Sequence, residues 1–181
     1  MQERRFHAAP LSGPPGSPDH LRRHRIAFFL AAAVVVALDQ VTKHLALNEL
    51  ADGPVDVVGS LRLNLTFNSG ASFGIGSGRT VVITAVASVV VLVLVRMGWR
   101  ADRPLWATGL GVVLGGASGN LVDRLLRAGD GVGAGRVVDF IDLQWWPVFN
   151  VADAALWVGI GLLFVSSWRE HDDEPEEVDE P

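Results

Sequence analysis

Asp139 and Asp153 are the residues of this chain whose type and setting best suit chemistry. Asp139 sits in Val-Val-Asp-Phe-Ile-Asp, and Asp153 in Phe-Asn-Val-Ala-Asp-Ala at the mouth of a long apolar run. A carboxylate at the entrance to a membrane-spanning helix costs free energy unless it is paired or wet, so it marks a functional position by default. The two are fourteen positions apart (153 minus 139), and the intervening turn-rich loop can fold them together. Two carboxyls sharing one site do not both ionise easily, so one keeps a proton near neutral pH. Such a pair can activate a water and protonate a carbonyl oxygen or a leaving amine.

Other polar residues stand at helical spacings. Asp39 and Lys43 are at i and i+4, able to pair on one face near the end of an apolar run. Asn120, Asp123 and Arg124 share a face at i, i+3 and i+4, and Arg124 can hold Asp123 or another carboxylate bidentately. Asn150 and Asp153 are at i and i+3. Asn68 can offer its amide to a substrate backbone, and Gly70 permits a tight turn beside it.

The elements that must position these residues are apolar helices. The 181 residues are 49% hydrophobic and 19% charged, with a mean hydropathy of +0.32, too apolar for an ordinary soluble domain. Four runs, about 26–47, 80–98, 105–126 and 148–168, are each near the ~20 residues that cross ~30 Å of hydrocarbon. The expected fold is a mainly α membrane protein of four spans. It carries a small extracytoplasmic β-element, read from the loose alternation over 55–67, and an outer interfacial loop or helix around Trp145 and Trp146. The second span carries no charge before Arg96 near its end and reads as lipid-facing scaffold.

Basic residues set the orientation. Arg4, Arg5, Arg22, Arg23 and Arg25 precede the first span, Arg96 at the end of the second span is followed by Arg100 and Arg103 before the third, and Arg169 follows the fourth. The positive-inside rule then puts both termini in the cytoplasm and the segments 48–79 and 127–147 outside, with every polar cluster near the outer face. Residues 1–24 read as a disordered basic arm, 25–168 as the membrane domain and 169–181 as an acidic disordered tail, which alone makes the net charge of −5 negative. An anchor, rather than a cleaved leader, is expected at 26–47, because Asp-Gln-Val-Thr-Lys follows the run instead of a small-residue cleavage site.

The absence of cysteine excludes disulfides, thiol nucleophiles and thiolate metal sites, and the five scattered histidines have no metal-ligand spacing. No metal, cofactor or nucleic acid is expected, and the chain reads as a monomer in contact with membrane lipids.

Five segments in order give the chain a family resemblance: Asp39-Gln-Val-Thr-Lys43, Asn68-Ser-Gly-Ala-Ser-Phe-Gly74, Gly119-Asn-Leu-Val-Asp-Arg124, Val137-Val-Asp-Phe140 and Phe149-Asn-Val-Ala-Asp153. Across about 25–168 it resembles lipoprotein signal peptidase, also called signal peptidase II. The resemblance implies an aspartic endopeptidase of the bacterial cytoplasmic membrane, removing signal peptides from prolipoproteins before a cysteine that carries a diacylglyceryl group. It implies Asp139 and Asp153 as the catalytic pair, and Asn68, Asn120, Arg124 and Asn150 as site support or substrate contacts, with Gly70 in the same segment as Asn68. Asp39, Lys43 and Asp123 match family positions of structural or substrate-positioning character.

Two other classes compete. A proton-coupled carrier wants its acid near the bilayer midplane, whereas these acids cluster toward one surface. A non-catalytic scaffold would not need Asp139, Arg124 and Asn150. Serine chemistry fits less well, since Ser69, Ser72 and Ser118 have no nearby lysine base in the sequence.

Overall fold

The computed structural model describes residues 18–70, 78–127, 131 and 133–173. Four helices, α1 (Pro18–Glu49), α2 (Gly78–Trp99), α3 (Pro104–Leu126) and α4 (Val151–Asp173), are joined by strands β1 (Val55–Val58), β2 (Leu61–Asn68) and β3 (Val137–Asp142). All four helices are long and apolar enough to cross a membrane. The expected four-span, mainly α architecture with a small sheet is therefore what the chain adopts.

α1 has 32 residues, about 48 Å at 1.5 Å per residue, longer than the hydrocarbon it crosses. Residues 18–24, which the sequence suggested as the end of a disordered arm, are its first turns. Residues 1–17, the Ala71–Gly74 part of the Asn68 segment, and 174–181 of the acidic tail lie outside the described residues.

α3 is the central helix, packed against α1, α2 and α4. Its glycines make that possible. A side chain at Gly116 would lie 2.5 Å from the Ala152 carbonyl of α4, and one at Gly119 would lie 2.5 Å from the Asp39 carboxylate of α1. Small residues at such crossings let backbones and polar groups of neighbouring helices come within direct reach.

Two apolar clusters flank the polar layer. Phe28, Ala32, Leu94, Ala107, Leu110 and Leu114 form one, and Ala46, Leu50 and Phe140 form the other. Residues 39–43 of α1 lie between Ala32 of the first cluster and Ala46 of the second, and on α3 residues 119–124 follow Leu114 of the first. The sheet runs β1-β2-β3, antiparallel throughout. β3 is almost wholly buried, and Phe149 closes the following loop through its N–H to the Ile141 carbonyl (3.0 Å) and its carbonyl to the Ile141 N–H (2.8 Å).

Candidate active site

Asn150 is the residue around which the two aspartates meet. It is the N-cap of α4: its Oδ1 accepts the Asp153 N–H (2.9 Å), while Asp153 Oδ2 accepts the Asn150 N–H (3.2 Å). This reciprocal capping box fixes Asp153 in the first turn of the helix. The same Asn150 donates through Nδ2 to Asp139 Oδ1 (2.6 Å) on β3 and to Asn120 Oδ1 (3.0 Å) on α3. One amide thus touches both halves of the expected pair.

Each carboxylate has a second amide donor. Asn120 Nδ2 donates to Asp153 Oδ1 (2.8 Å), and Asn68 Nδ2, at the end of β2, donates to Asp139 Oδ2 (3.0 Å). Asn68 therefore spends its amide on Asp139 rather than presenting it to a substrate backbone, as its sequence setting suggested. Its Oδ1 accepts the N–H of Gly70 (2.7 Å), which stands at φ +73° in the left-handed region that glycine adopts without strain. Burial pushes the Asp139 carboxyl up to about 6. The Asp153 charge acts the same way, against the Asn68 and Asn150 amides and the Lys43 charge, which favour the ionised form.

Behind this pair lies a closed ionic cluster. Lys43 Nζ contacts Asp39 Oδ2 and Asp123 Oδ2, both at 2.9 Å, and donates to Asn120 Oδ1 at 3.0 Å, using all three of its hydrogens. Asp39 and Lys43 do pair at i, i+4, fully buried rather than extended to headgroups. Asp39 Oδ1 also accepts the Ala152 N–H at the start of α4 (3.0 Å), a favourable place for an anion. Asp123 accepts the Val138 N–H of β3 (3.1 Å).

Arg124 does not hold Asp123. That role belongs to Arg127, whose Nε meets Asp123 Oδ1 at 2.7 Å, while Arg124 Nη1 donates to the Asn120 carbonyl (3.2 Å). The spacing explains the correction: Asp123 and Arg127 are at i and i+4, whereas adjacent residues point to different faces. Arg124 Nε is buried without a hydrogen-bond partner, and its charge acts on Asp153, Asp139 and Asp123.

The sequence reading passed over several positioning residues. Gln40 Nε2 contacts Asp39 Oδ2 (3.1 Å), the Gly119 carbonyl (3.2 Å) and Asp123 Oδ1 (3.3 Å). α2 is not merely lipid-facing. Its buried Thr80 donates to the Ser69 carbonyl (2.8 Å) beside Asn68, and its buried Thr84 donates to the Gly133 carbonyl (2.7 Å) before β3. The signal available was the spacing of Thr80, Thr84 and Ser88 at i, i+4 and i+8 in an otherwise apolar helix.

The sequence matches the family model described as signal peptidase (SPase) II over residues 31–169, which includes every residue placed in the site above. The chain belongs to the signal peptidase II family. Among its relatives, the lipoprotein signal peptidase of Rhodococcus jostii (strain RHA1) is 48% identical over 156 residues, covering 85% of this chain and 77% of that protein. The Mycolicibacterium smegmatis lipoprotein signal peptidase is 46% identical over 164 residues, covering 88% and 69%. Two solved bacterial membrane enzymes share the fold. One has a TM-score of 0.67 at 28% identity over 77% of this chain and 91% of that one. The other has a TM-score of 0.63 at 26% identity over 84% and 94%. Family membership makes this chain a membrane-embedded protease, and the capping box, the amide cradle and the Lys43 cluster are what its family segments build.

Among the described residues no cluster of His, Cys, Asp and Glu could hold a metal ion.

Proposed function

We propose that the chain is an aspartic endopeptidase that removes signal peptides from diacylglyceryl-modified prolipoproteins, cutting before the lipidated cysteine. The carrying observation is that Asn150 donates to both carboxyls, through its side-chain amide to Asp139 and through its backbone N–H to Asp153, and that burial pushes Asp139 up to about 6. With one proton on the pair, Asp139 donates it to the scissile carbonyl oxygen while Asp153 takes a proton from the attacking water. The new C–O bond gives a tetrahedral diol. Asp153 then returns a proton to the leaving nitrogen as the C–N bond breaks, and Asp139 recovers its own from the diol. The unpartnered Arg124 Nε supplies a donor for the substrate carbonyl or the oxygen charge that develops on it.

Orientation follows from charge. Arg22, Arg23, Arg25, Arg96, Arg100, Arg103 and Arg169 lie at the ends of the helices opposite the site, so both termini face the cytoplasm and the site lies near the outer face of the bacterial inner membrane. A lipid-modified substrate fits that depth, with its acyl chains in hydrocarbon and its peptide bond near water. The residues proposed for the reaction all come from one chain, so a monomer suffices for it.

The test is cleavage of a purified prolipoprotein, with and without the diacylglyceryl group, by the wild type and by Asp139→Asn and Asp153→Asn. The proposal expects the wild type to cleave the modified form and both folded variants to leave it intact. Cleavage retained in either variant would overturn the two-carboxylate mechanism, and equal cleavage of the unmodified form would overturn the substrate class.

A further inference from the structure

Asp142 is a buried carboxylate on β3 that takes no part in the site above. Its Oδ2 accepts from Arg62 Nε (2.7 Å) and Asn64 Nδ2 (3.2 Å), and its Oδ1 from the Gln144 N–H (2.7 Å). The pairing of β2 with β3 explains why Asp142 and Asp139 have separate partners. Arg62 faces Asp142 and Leu63 faces Ile141, but Thr66 faces Asp139. β2 therefore carries one extra residue opposite Phe140, a bulge. By alternation Arg62, Asn64, Thr66 and Asn68 would share a face, while Asp139 and Asp142 fall on opposite faces of β3. The bulge divides the polar row, giving Arg62 and Asn64 to Asp142 and Asn68 to Asp139.

What Asp142 holds is the turn beyond β3. Gln144 is the one non-glycine residue with positive φ among those described, at +67°. A residue with a Cβ reaches that conformation only at a cost. Two bonds keep Gln144 there: its N–H to Asp142, and its Nε2 to the Ser60 carbonyl in the β1–β2 turn (3.0 Å).

The residues that follow, Trp145 and Trp146, line a groove of about 650 Å³ together with Leu156, Trp157 and Ile160 of α4. Asp153 is the one charged residue in that lining. Trp157 and Ile160 are 70% and 52% exposed on a helix long and apolar enough to span the bilayer. The groove is thus continuous with a hydrocarbon-facing surface and opens at a reacting carboxylate, which suits an alkyl chain arriving sideways from the membrane.

We propose that this groove takes an acyl chain of the substrate, and that Asp142 is the positioning residue which, through Gln144, fixes Trp145 and Trp146 as its wall. The inference rests on the lipid-modified substrate proposed above. A chain entering the groove leaves hydrocarbon for protein, so the gain is one of packing rather than of hydrophobic transfer, and the expected effects are moderate.

The experiment is steady-state cleavage of diacylglyceryl-modified prolipopeptides bearing long or short acyl chains. The enzymes are the wild type, Asp142→Ala, Asp142→Ala with Gln144→Gly, and Trp146→Ala. With the long-chain substrate, Asp142→Ala should raise KM about 5- to 10-fold with kcat within about 2-fold. The short-chain substrate should change by less than about 2-fold. Gln144→Gly should recover most of the loss, since glycine holds a positive φ without the Asp142 clamp. Trp146→Ala, a partly exposed position, should reproduce the KM effect even if Asp142→Ala fails to fold.

An effect on kcat with KM unchanged, an equal effect at both chain lengths, or none from Trp146→Ala would overturn the proposal. A second readout needs no turnover: a lipopeptide brominated in its acyl chain should quench fluorescence that is absent when Trp145 and Trp146 are both phenylalanine. No such difference would overturn the groove as an acyl site. A wild type that cleaves neither substrate would instead count against the proposed function.

Discussion

Two clusters of carboxylates share α1, α3 and the β3–α4 junction, and they are compensated by different means. Asp39 and Asp123 are met by cations, Lys43 and Arg127, at 2.7 to 2.9 Å. Asp139 and Asp153 are met by the amides of Asn68, Asn120 and Asn150. A cation in contact offsets the cost of burying a carboxylate's charge, whereas a neutral amide offsets less of it. A carboxylate held by neutral amides in a buried setting is free to carry a proton, as the raised value of Asp139 indicates. Asn120 joins the clusters, accepting from Lys43 and donating to Asp153. The ionic group is thus a fixed frame against which the amide-held pair is set.

The largest effect should come from breaking the pair itself. Asp139→Asn or Asp153→Asn should lower kcat by about 10³-fold or more, with the folded yield unchanged, as measured by cleavage and detergent-phase unfolding. Next is the frame. Lys43→Met leaves buried anions without their cation and should cost about 3–5 kcal/mol of stability, read by thermal unfolding. A Lys43→Met protein that is fully stable yet inactive would place Lys43 with the reacting pair and erase the distinction.

The two carboxylates of β3 should respond to pH with opposite signs. Asp139 binds its proton more tightly folded than unfolded, so its contribution is present below about pH 4 and is lost as pH rises through about 6. By pH 7 the loss is about 3 kcal/mol, and Asp139→Asn should flatten that decline in stability. The Arg62 contact holds Asp142 below the usual carboxylate range, so its contribution is present above about pH 4 and is lost as pH falls through its folded value. The smallest effect is expected at α2, where Thr84→Val removes the tie to Gly133 and should cost about 1 kcal/mol.

The frame was more legible in the sequence than the joints. Four apolar runs and the i, i+4 spacing of Asp39 and Lys43 are local patterns, and the structure contains them nearly as read. The pairing of β2 with β3 joins residues as far apart in sequence as Arg62 and Asp142 and includes a bulge, and no local periodicity encodes either. Arg124 rather than Arg127 looked like the partner of Asp123 because Arg127 falls at the helix end, where the sequence reads as loop. Thr80 and Thr84 were hidden by the hydropathy of their helix, which measures the average of a segment and not the side that meets its neighbours. The capping box of Asn150 and Asp153 could be seen as i, i+3 spacing, but its reach to Asp139 depends on β3 arriving from the far side of the sheet.

The central claim is that the amide-held pair carries a proton that the ionic frame does not. Infrared difference spectroscopy across pH 4 to 8, comparing the wild type with Asp139→Asn, measures this directly through the C=O stretch of a protonated carboxyl. The account predicts one such band in the wild type, disappearing with a midpoint near 6 and missing from Asp139→Asn. A spectrum with no Asp139-dependent band in that range, or one that titrates near the ordinary carboxylate value of about 4, would contradict it.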